Sequence, residues 1–168
     1  IAADFDAEAD GACPDGWTCN GGRATPAFSP GVTQQAGHEG RLRLADASVD
    51  GNIASTVVWN QLLDLSQSSF VAEFDAFFSN SDGSIPADGL TFMVLDGSVS
   101  PTTSLGVGGS GEGYQGLTGF AVELDIYRGD AADPSGYNTN GYGHVAVIRD
   151  GLVAPHVQTH VDLNPAFI

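Results

Sequence analysis

The sequence predicts an all-β protein, folded as an antiparallel sandwich or barrel, and three observations lead to this fold class. Several short segments alternate apolar and polar residues with the period of two that a half-buried strand produces. Turn-forming residues separate these segments, since the 168-residue chain contains 23 glycines and 8 prolines. No stretch of roughly eleven or more residues carries the apolar stripe of an amphipathic helix.

The strands are predicted where alternation, or a continuous apolar run, is clearest. In segment 70–78, Phe70, Phe74 and Phe78 share one face, whereas the run 90–95 is apolar enough for a more fully buried strand. In chain order, the predicted strands are segments 41–44, 56–60, 70–78, 90–95, 120–127, 144–149 and 157–161. Turns are predicted at 81–83, 96–97 and 150–151, and glycine-rich loops at 106–116 and 136–143.

Length and charge limit the classes of function. We expect residues 1–168 to form one domain, cut or processed from a longer precursor because the chain begins with Ile1. Five arginines and no lysine oppose 21 acidic residues, which gives a net charge of −16. Such a negative surface repels phosphate groups, so we do not expect the protein to bind nucleic acid or anionic membranes. No apolar run approaches the roughly 18 residues of a membrane-inserted helix.

The two cysteines enclose a short turn. Cys13 and Cys19 flank Pro14-Asp15-Gly16, a turn sequence that brings the two sulfur atoms towards each other. A disulfide would place the protein outside the cytoplasm, in an extracellular or cell-surface location. The alternative is a pair of free thiols. A metal site is less favoured because two cysteines without a nearby histidine supply too few ligands.

The segment 120–134 has the pattern of a metal site. As a strand it sends alternate residues from Phe120 to Ile126 into the core, and Glu123, Asp125 and Tyr127 share the opposite face. Adjacent carboxylates repel each other unless something neutralises them, and dense oxygen ligands suit Ca²⁺. Three further residues join the candidate ligands: Asp130, Asp133 and His144. The alternative is a solvated acidic face.

Six motifs resemble the legume-type (L-type) lectins, particularly their bacterial branch, over roughly residues 4–150. They are Val122–Tyr127, Asp133-Pro134, His144–Val147, Asp15–Gly21, Pro86–Phe92 and Leu105–Gly111. The Glu-x-Asp…Asp-Pro…His run is the specific part. The resemblance implies a concanavalin A-like jelly roll, and by that standard the chain is short. We therefore expect C-terminal strands to be missing, and a second chain or the rest of a larger protein to complete the sandwich.

The resemblance also implies two metal sites. In the family, a transition metal such as Mn²⁺ takes the residues that match Glu123, Asp125, Asp133 and His144. Calcium shares the two aspartates and takes the backbone carbonyl that matches Tyr127. Gly129 stands where the family has an asparagine ligand, so Asp130 or a water would replace it. A longer gap before His144 favours loss of the transition metal while calcium is kept.

The implied saccharide site adjoins the calcium. In the family, the aspartate that matches Asp88 accepts hydroxyl hydrogen bonds, the aromatic that matches Tyr127 stacks on the sugar, and a glycine-loop amide near Thr103–Gly106 donates. We include Gly106 in the predicted carbohydrate-binding residues on this basis. Without the resemblance, 86–89 reads as an ordinary β-turn.

Three functions follow from these patterns. The first is a calcium-dependent carbohydrate-binding module without enzymatic activity, with a saccharide or glycan as partner. The second is a structural or adhesion domain that keeps calcium but lacks sugar binding, which Gly129 favours. The third is a laminarinase-type glycoside hydrolase, which is least favoured because Tyr127 and Arg128 stand where a second catalytic carboxylate is needed.

Overall fold

The strands of the molecule form antiparallel sheets, and the predicted all-β class is confirmed at this level. The structure is a computed structural model that describes residues 5–22, 29–35, 39–46, 53–66, 69–78, 88–127, 144–149 and 160–162. In these residues the strands are β1 (Trp17–Gly22), β2 (Gly31–Thr33), β3 (Arg41–Arg43), β4 (Ala54–Trp59), β5 (Gly89–Leu95), β6 (Gly119–Asp125), β7 (His144–Arg149) and β8 (His160–Asp162). The described ranges contain one 3₁₀ turn, Gly109–Gly111, and no α-helix.

Strands β5 to β8 form the largest sheet, a meander in which each strand pairs with the next in sequence. Its central register places Gly89 opposite Asp125 and Thr91 opposite Glu123 across β5 and β6. Strand β7 continues this register, with His144 opposite Asp125. The predicted strand at 157–161 overlaps β8, although residues 157–159 lie outside the described part of the chain.

Two smaller sheets contain the four strands that precede residue 60. Strand β1 pairs with β4, and β2 pairs with β3. The three residues of β2 are all buried, because β3 lies on one side and the backbone of Gly11 and Ala12 bonds to Val32 on the other. Sequence periodicity predicted β3 and β4 but not β1 or β2.

The inner face of the four-stranded sheet packs against the glycine-rich loop. Fully buried Ala121 of β6 contacts a cluster with Tyr114 and Ile148, to which Met93, Leu95 and Leu117 add. The sequence predicted that the opposite face, with Phe120, Val122, Leu124 and Ile126, enters the core. Phe120, Val122 and Leu124 are partly buried, whereas Asp125 on the inner face, predicted to point away from the core, is 4% exposed. The predicted alternation is correct, and Ile126 is buried as expected.

Segment 69–78 covers the outer face of this sheet without joining it. Phe70 contacts Phe120 with ring centroids 6.2 Å apart, and Phe74 stacks on Phe92 at 5.6 Å. The strand predicted at 70–78 is absent, because no described backbone pairs with this segment. Its contacts include the two ring pairs and the Arg41 guanidinium 5.3 Å from the Phe77 ring centre. Its outward side is exposed, with Val71 at 85%.

A disulfide closes the turn that leads into β1, which confirms the pairing of the two cysteines. Cys13 and Cys19 are bonded, with Cα atoms 5.8 Å apart. The Trp17 amide donates to the Pro14 carbonyl at 3.1 Å, and Gly16 has φ +82°, a value that glycine adopts without strain. Asn20 follows the second cysteine directly, so the disulfide lies next to this residue of β1.

We predict that this disulfide stabilises the fold by about 2 kcal/mol, because it closes a loop of sequence separation 6 in the unfolded chain. The double variant Cys13→Ser/Cys19→Ser is expected to lose that amount of unfolding free energy in urea titration. Wild-type protein reduced with dithiothreitol is the control and is expected to match the variant. Equal stability of the oxidised and variant proteins would contradict the prediction.

Candidate functional site

The candidate site lies at the end of β6, where two carboxylates share the inner face of the sheet. Glu123 and Asp125 are two residues apart on one strand and therefore project to the same side. Asp125 is buried, and its Oδ1 accepts a hydrogen bond of 2.7 Å from the Tyr127 amide. A solvated acidic face, the alternative open at the sequence level, does not describe this position.

The backbone at Asp88 joins the two predicted ligand-binding segments. The Asp88 carbonyl accepts hydrogen bonds of 3.0 Å from the amides of both Ile126 and Tyr127. These bonds extend the β5–β6 ladder by one step past Gly89 and Asp125. They bring Asp88 and Tyr127 together at one end of the sheet, where the Tyr127 side chain is 43% exposed.

The glycine-rich loop 105–117 folds back on itself through its own backbone. The Gly106 amide donates to the Gly113 carbonyl, Val107 donates to Gln115, and Gly113 donates to Val107. A Cβ at Gly106 would lie 2.6 Å from the Gly113 oxygen, so the two arms approach too closely for a side chain there. The N–H of Gly106, a predicted carbohydrate-binding residue, therefore donates inside the loop.

Glu112 extends from this loop onto the sheet, and the sequence patterns did not predict its role. Its Oε2 accepts a hydrogen bond of 3.1 Å from the Thr91 hydroxyl. Its Oε1 occupies the space that a Cβ at Gly89 would fill, so glycine at position 89 makes room for the carboxyl group. The backbone of Glu112 is left-handed, with φ +43°, between Gly111 and Gly113.

The pKa of Glu112 is raised from 4.5 to about 9, first by burial and then by the neighbouring charges of Glu123 and Asp125. The Thr91 hydrogen bond opposes this shift, whereas Asp88 adds a smaller repulsion. Glu112 is thus largely protonated at neutral pH in the absence of a cation. One feature of the sequence could have indicated a role for Glu112: it is the one acidic residue between Pro101 and Leu117, within the glycine-rich loop.

The donor chemistry here fits calcium, but the described residues do not complete a metal site. Carboxylate and carbonyl oxygens are the ligands that Ca²⁺ prefers, and repulsion among the four carboxyl groups would be relieved by a cation. Within the described ranges, however, no group of three or more His, Cys, Asp or Glu side chains is arranged to hold a metal ion. Two predicted ligands, Asp130 and Asp133, lie outside these ranges. For His144 the structure gives the strand position opposite Asp125.

Comparison with known proteins adds no assignment, since neither a protein-family model nor a curated protein matches this chain. The part of the chain that the structure describes contains no helix with the length and apolar character needed to cross a membrane. The site therefore has to be interpreted from its own residues.

We predict that Glu112 makes the metal-free fold less stable as pH rises. The carboxyl has an ordinary pKa of 4.5 in the unfolded chain and about 9 in the folded chain, so only the folded state keeps the proton between these values. This contribution is fully present below pH 4.5, and it declines above that by up to about 1.4 kcal/mol per pH unit. Urea titrations from pH 4 to 9 with chelator measure the slope.

The matched variant is Glu112→Gln, which keeps an oxygen that accepts from Thr91 but has no titratable proton. Relative to wild type, it is expected to gain stability steadily from pH 5 to pH 8. The same change at Glu73, an exposed residue of segment 69–78, is expected to leave the wild-type slope. Parallel wild-type and Glu112→Gln profiles would show that the carboxyl is not protonated in the folded state.

Proposed function

We propose that the chain is a calcium-dependent carbohydrate-binding module of the L-type lectin kind, on a jelly-roll sandwich, in a secreted or cell-surface protein. The observation that carries the proposal is a convergence of three segments that are distant in sequence. These are the backbone at Asp88, the glycine-rich loop and the acidic end of β6, and they meet at one end of the sheet. The disulfide supports an oxidising compartment.

In this proposal, Asp125, Asp133 and the Tyr127 carbonyl hold calcium, with Asp130 as the substitute for the asparagine that Gly129 replaces. When bound, the cation neutralises the clustered carboxylates and fixes the backbone around them. Where a second divalent metal of the Mn²⁺ kind binds as well, Glu123 and His144 are its additional ligands. The register of β6 and β7 supports this, since His144 lies opposite Asp125.

The saccharide-binding part uses groups that lie beside that site. Asp88 accepts hydrogen bonds from sugar hydroxyls, and Tyr127 offers a partly exposed ring for the apolar face of the sugar. The loop around Gly106 contributes shape and backbone groups, since its fold is fixed by internal hydrogen bonds. A preformed loop reduces the ordering cost of binding.

A structural or adhesion domain is the second candidate, and Gly129 favours it. The glycine has no side chain with which to bind calcium and a sugar hydroxyl together. Such a domain would use calcium to stiffen the strand ends without recognising a glycan. The two candidates agree on the cation and differ on the sugar.

We expect the wild-type protein to bind calcium with measurable heat in titration calorimetry. At 100-fold excess over the dissociation constant, calcium is expected to raise Tm by roughly 5 °C or more. Asp125→Asn keeps the Oδ1 acceptor for the Tyr127 amide but weakens the cation charge interaction, so affinity is expected to fall by roughly tenfold or more. Asp96→Asn, in an exposed turn, is the control. Absence of both heat and Tm change in the wild type would refute the calcium assignment.

We expect the wild-type protein to bind a subset of saccharides on a glycan array in the presence of calcium. Binding is expected to disappear with chelator and with Asp88→Ala, because the first removes the cation and the second removes the hydroxyl acceptor. Asp96→Ala serves as the control with an equal change in charge. If calcium raises Tm but no glycan binds, the structural domain is favoured and the lectin proposal fails.

A further inference from the structure

The start of the glycine-rich loop is held by a side chain from a different sheet. Asn20, on β1, places its Nδ2 group 2.8 Å from the Thr102 carbonyl and 3.4 Å from the Ser104 carbonyl. The same amide group lies 2.9 Å from Thr56 Oγ1 on the paired strand β4. One amide therefore links two strands to a chain segment more than 80 positions further along.

Thr56 takes part in the same hydrogen-bond network, both as a donor and as an acceptor. The residue is 2% exposed, and its hydroxyl donates to the Ser104 carbonyl at 2.9 Å while accepting from Asn20. The Ser104 oxygen thus receives hydrogen bonds from both side chains. Part-buried hydrogen bonds of this kind are costly to break, because each carbonyl would lose its partner away from bulk water.

The effect of this anchor reaches the predicted binding loop through two residues of backbone. Directly after Ser104 and Leu105, the amides of Gly106 and Val107 bond to the returning arm at Gly113 and Gln115. Glycines at 106, 108, 109, 111 and 113 give the loop few side chains with which to fix its own position. Tyr114 and Glu112 attach its returning arm to the sheet, whereas its beginning is held from outside the loop by Asn20 and Thr56.

We propose that Asn20 is a positioning residue for saccharide binding, which fixes the segment 102–107 in its binding-competent conformation. This inference rests on the proposed function for its ligand, but its structural part concerns the loop alone. Asn20 acts through the Thr102 and Ser104 carbonyls and does not touch the saccharide. Holding the loop in advance lowers the entropy lost when a ligand binds.

The test is Asn20→Asp, a change that keeps the size of the side chain and replaces the donor amide with an acceptor. The new carboxylate repels both loop carbonyls. Hydrogen exchange is expected to show a roughly tenfold or greater loss of protection at the Gly106 and Val107 amides, while β5 and β6 keep theirs. Affinity for a saccharide identified on the array is expected to fall by roughly tenfold or more.

Two controls separate positioning from general damage. Asn60→Asp makes the same chemical change at an exposed residue of the same sheet region, where Oδ1 accepts from the Thr18 hydroxyl. Val32→Ala removes buried volume from β2 and lowers overall stability without touching the loop. Both variants are expected to keep wild-type loop protection and affinity at a temperature where all proteins remain folded.

The outcomes distinguish this inference from the proposed function. If the wild type binds saccharide and Asn20→Asp keeps full affinity or full loop protection, the positioning role is overturned and the lectin proposal stands. Equal losses in Val32→Ala would likewise overturn it. If the wild type binds no saccharide, the lectin proposal fails, and loop protection alone decides whether Asn20 positions the loop.

Discussion

The close packing of a glycine-rich loop on the carboxyl-bearing face of β6 is the constraint on which this arrangement depends. The loop reaches the sheet because its glycines lack side chains, and the sheet accepts it because Ala121 and Gly89 are small. Glu112 then lies close to other carboxyl groups, which is unfavourable for an ionised side chain. In the absence of a cation, Glu112 stays protonated and so avoids the repulsion. A bound cation would instead neutralise the carboxylates by its own charge.

A loop rich in glycine is disfavoured entropically, and the molecule offsets this with hydrogen bonds from several directions. Asn20 and Thr56 hold its beginning, backbone bonds join its two arms, and Glu112 attaches its return to Thr91. These contacts come from three different strands. The disulfide directly before Asn20 limits the motion of the first of them, so a covalent bond supports a non-covalent anchor.

Alternation in the sequence, together with the continuous apolar run at 90–95, was sufficient to predict β3 to β7, because a strand with one packed face shows that face as a period of two and a more buried strand is apolar throughout. It did not predict Trp17–Gly22, which ends in Asn-Gly-Gly and has the composition of a turn. In segment 70–78, by contrast, a strand was predicted where none forms. Alternation shows which residues pack on a neighbour, but it does not show whether another strand lies alongside to pair with the backbone. Motif resemblance grouped Asp88 with Tyr127, but Glu112 required three-dimensional information, because nothing local relates it to Thr91.

The way the loop is fixed has a consequence for sequence variation. The bonds that shape it run between backbone atoms of residues 106–107 and 113–115, and the side chains that hold its beginning, Asn20 and Thr56, lie outside it. The half-exposed side chain of Val107 can thus change without altering the backbone bonds beneath it, whereas Gly109, with φ +64°, is held to glycine by its backbone conformation. In this respect the domain resembles an antibody framework, in which new recognition surfaces arise by diversifying a short loop on a constant base.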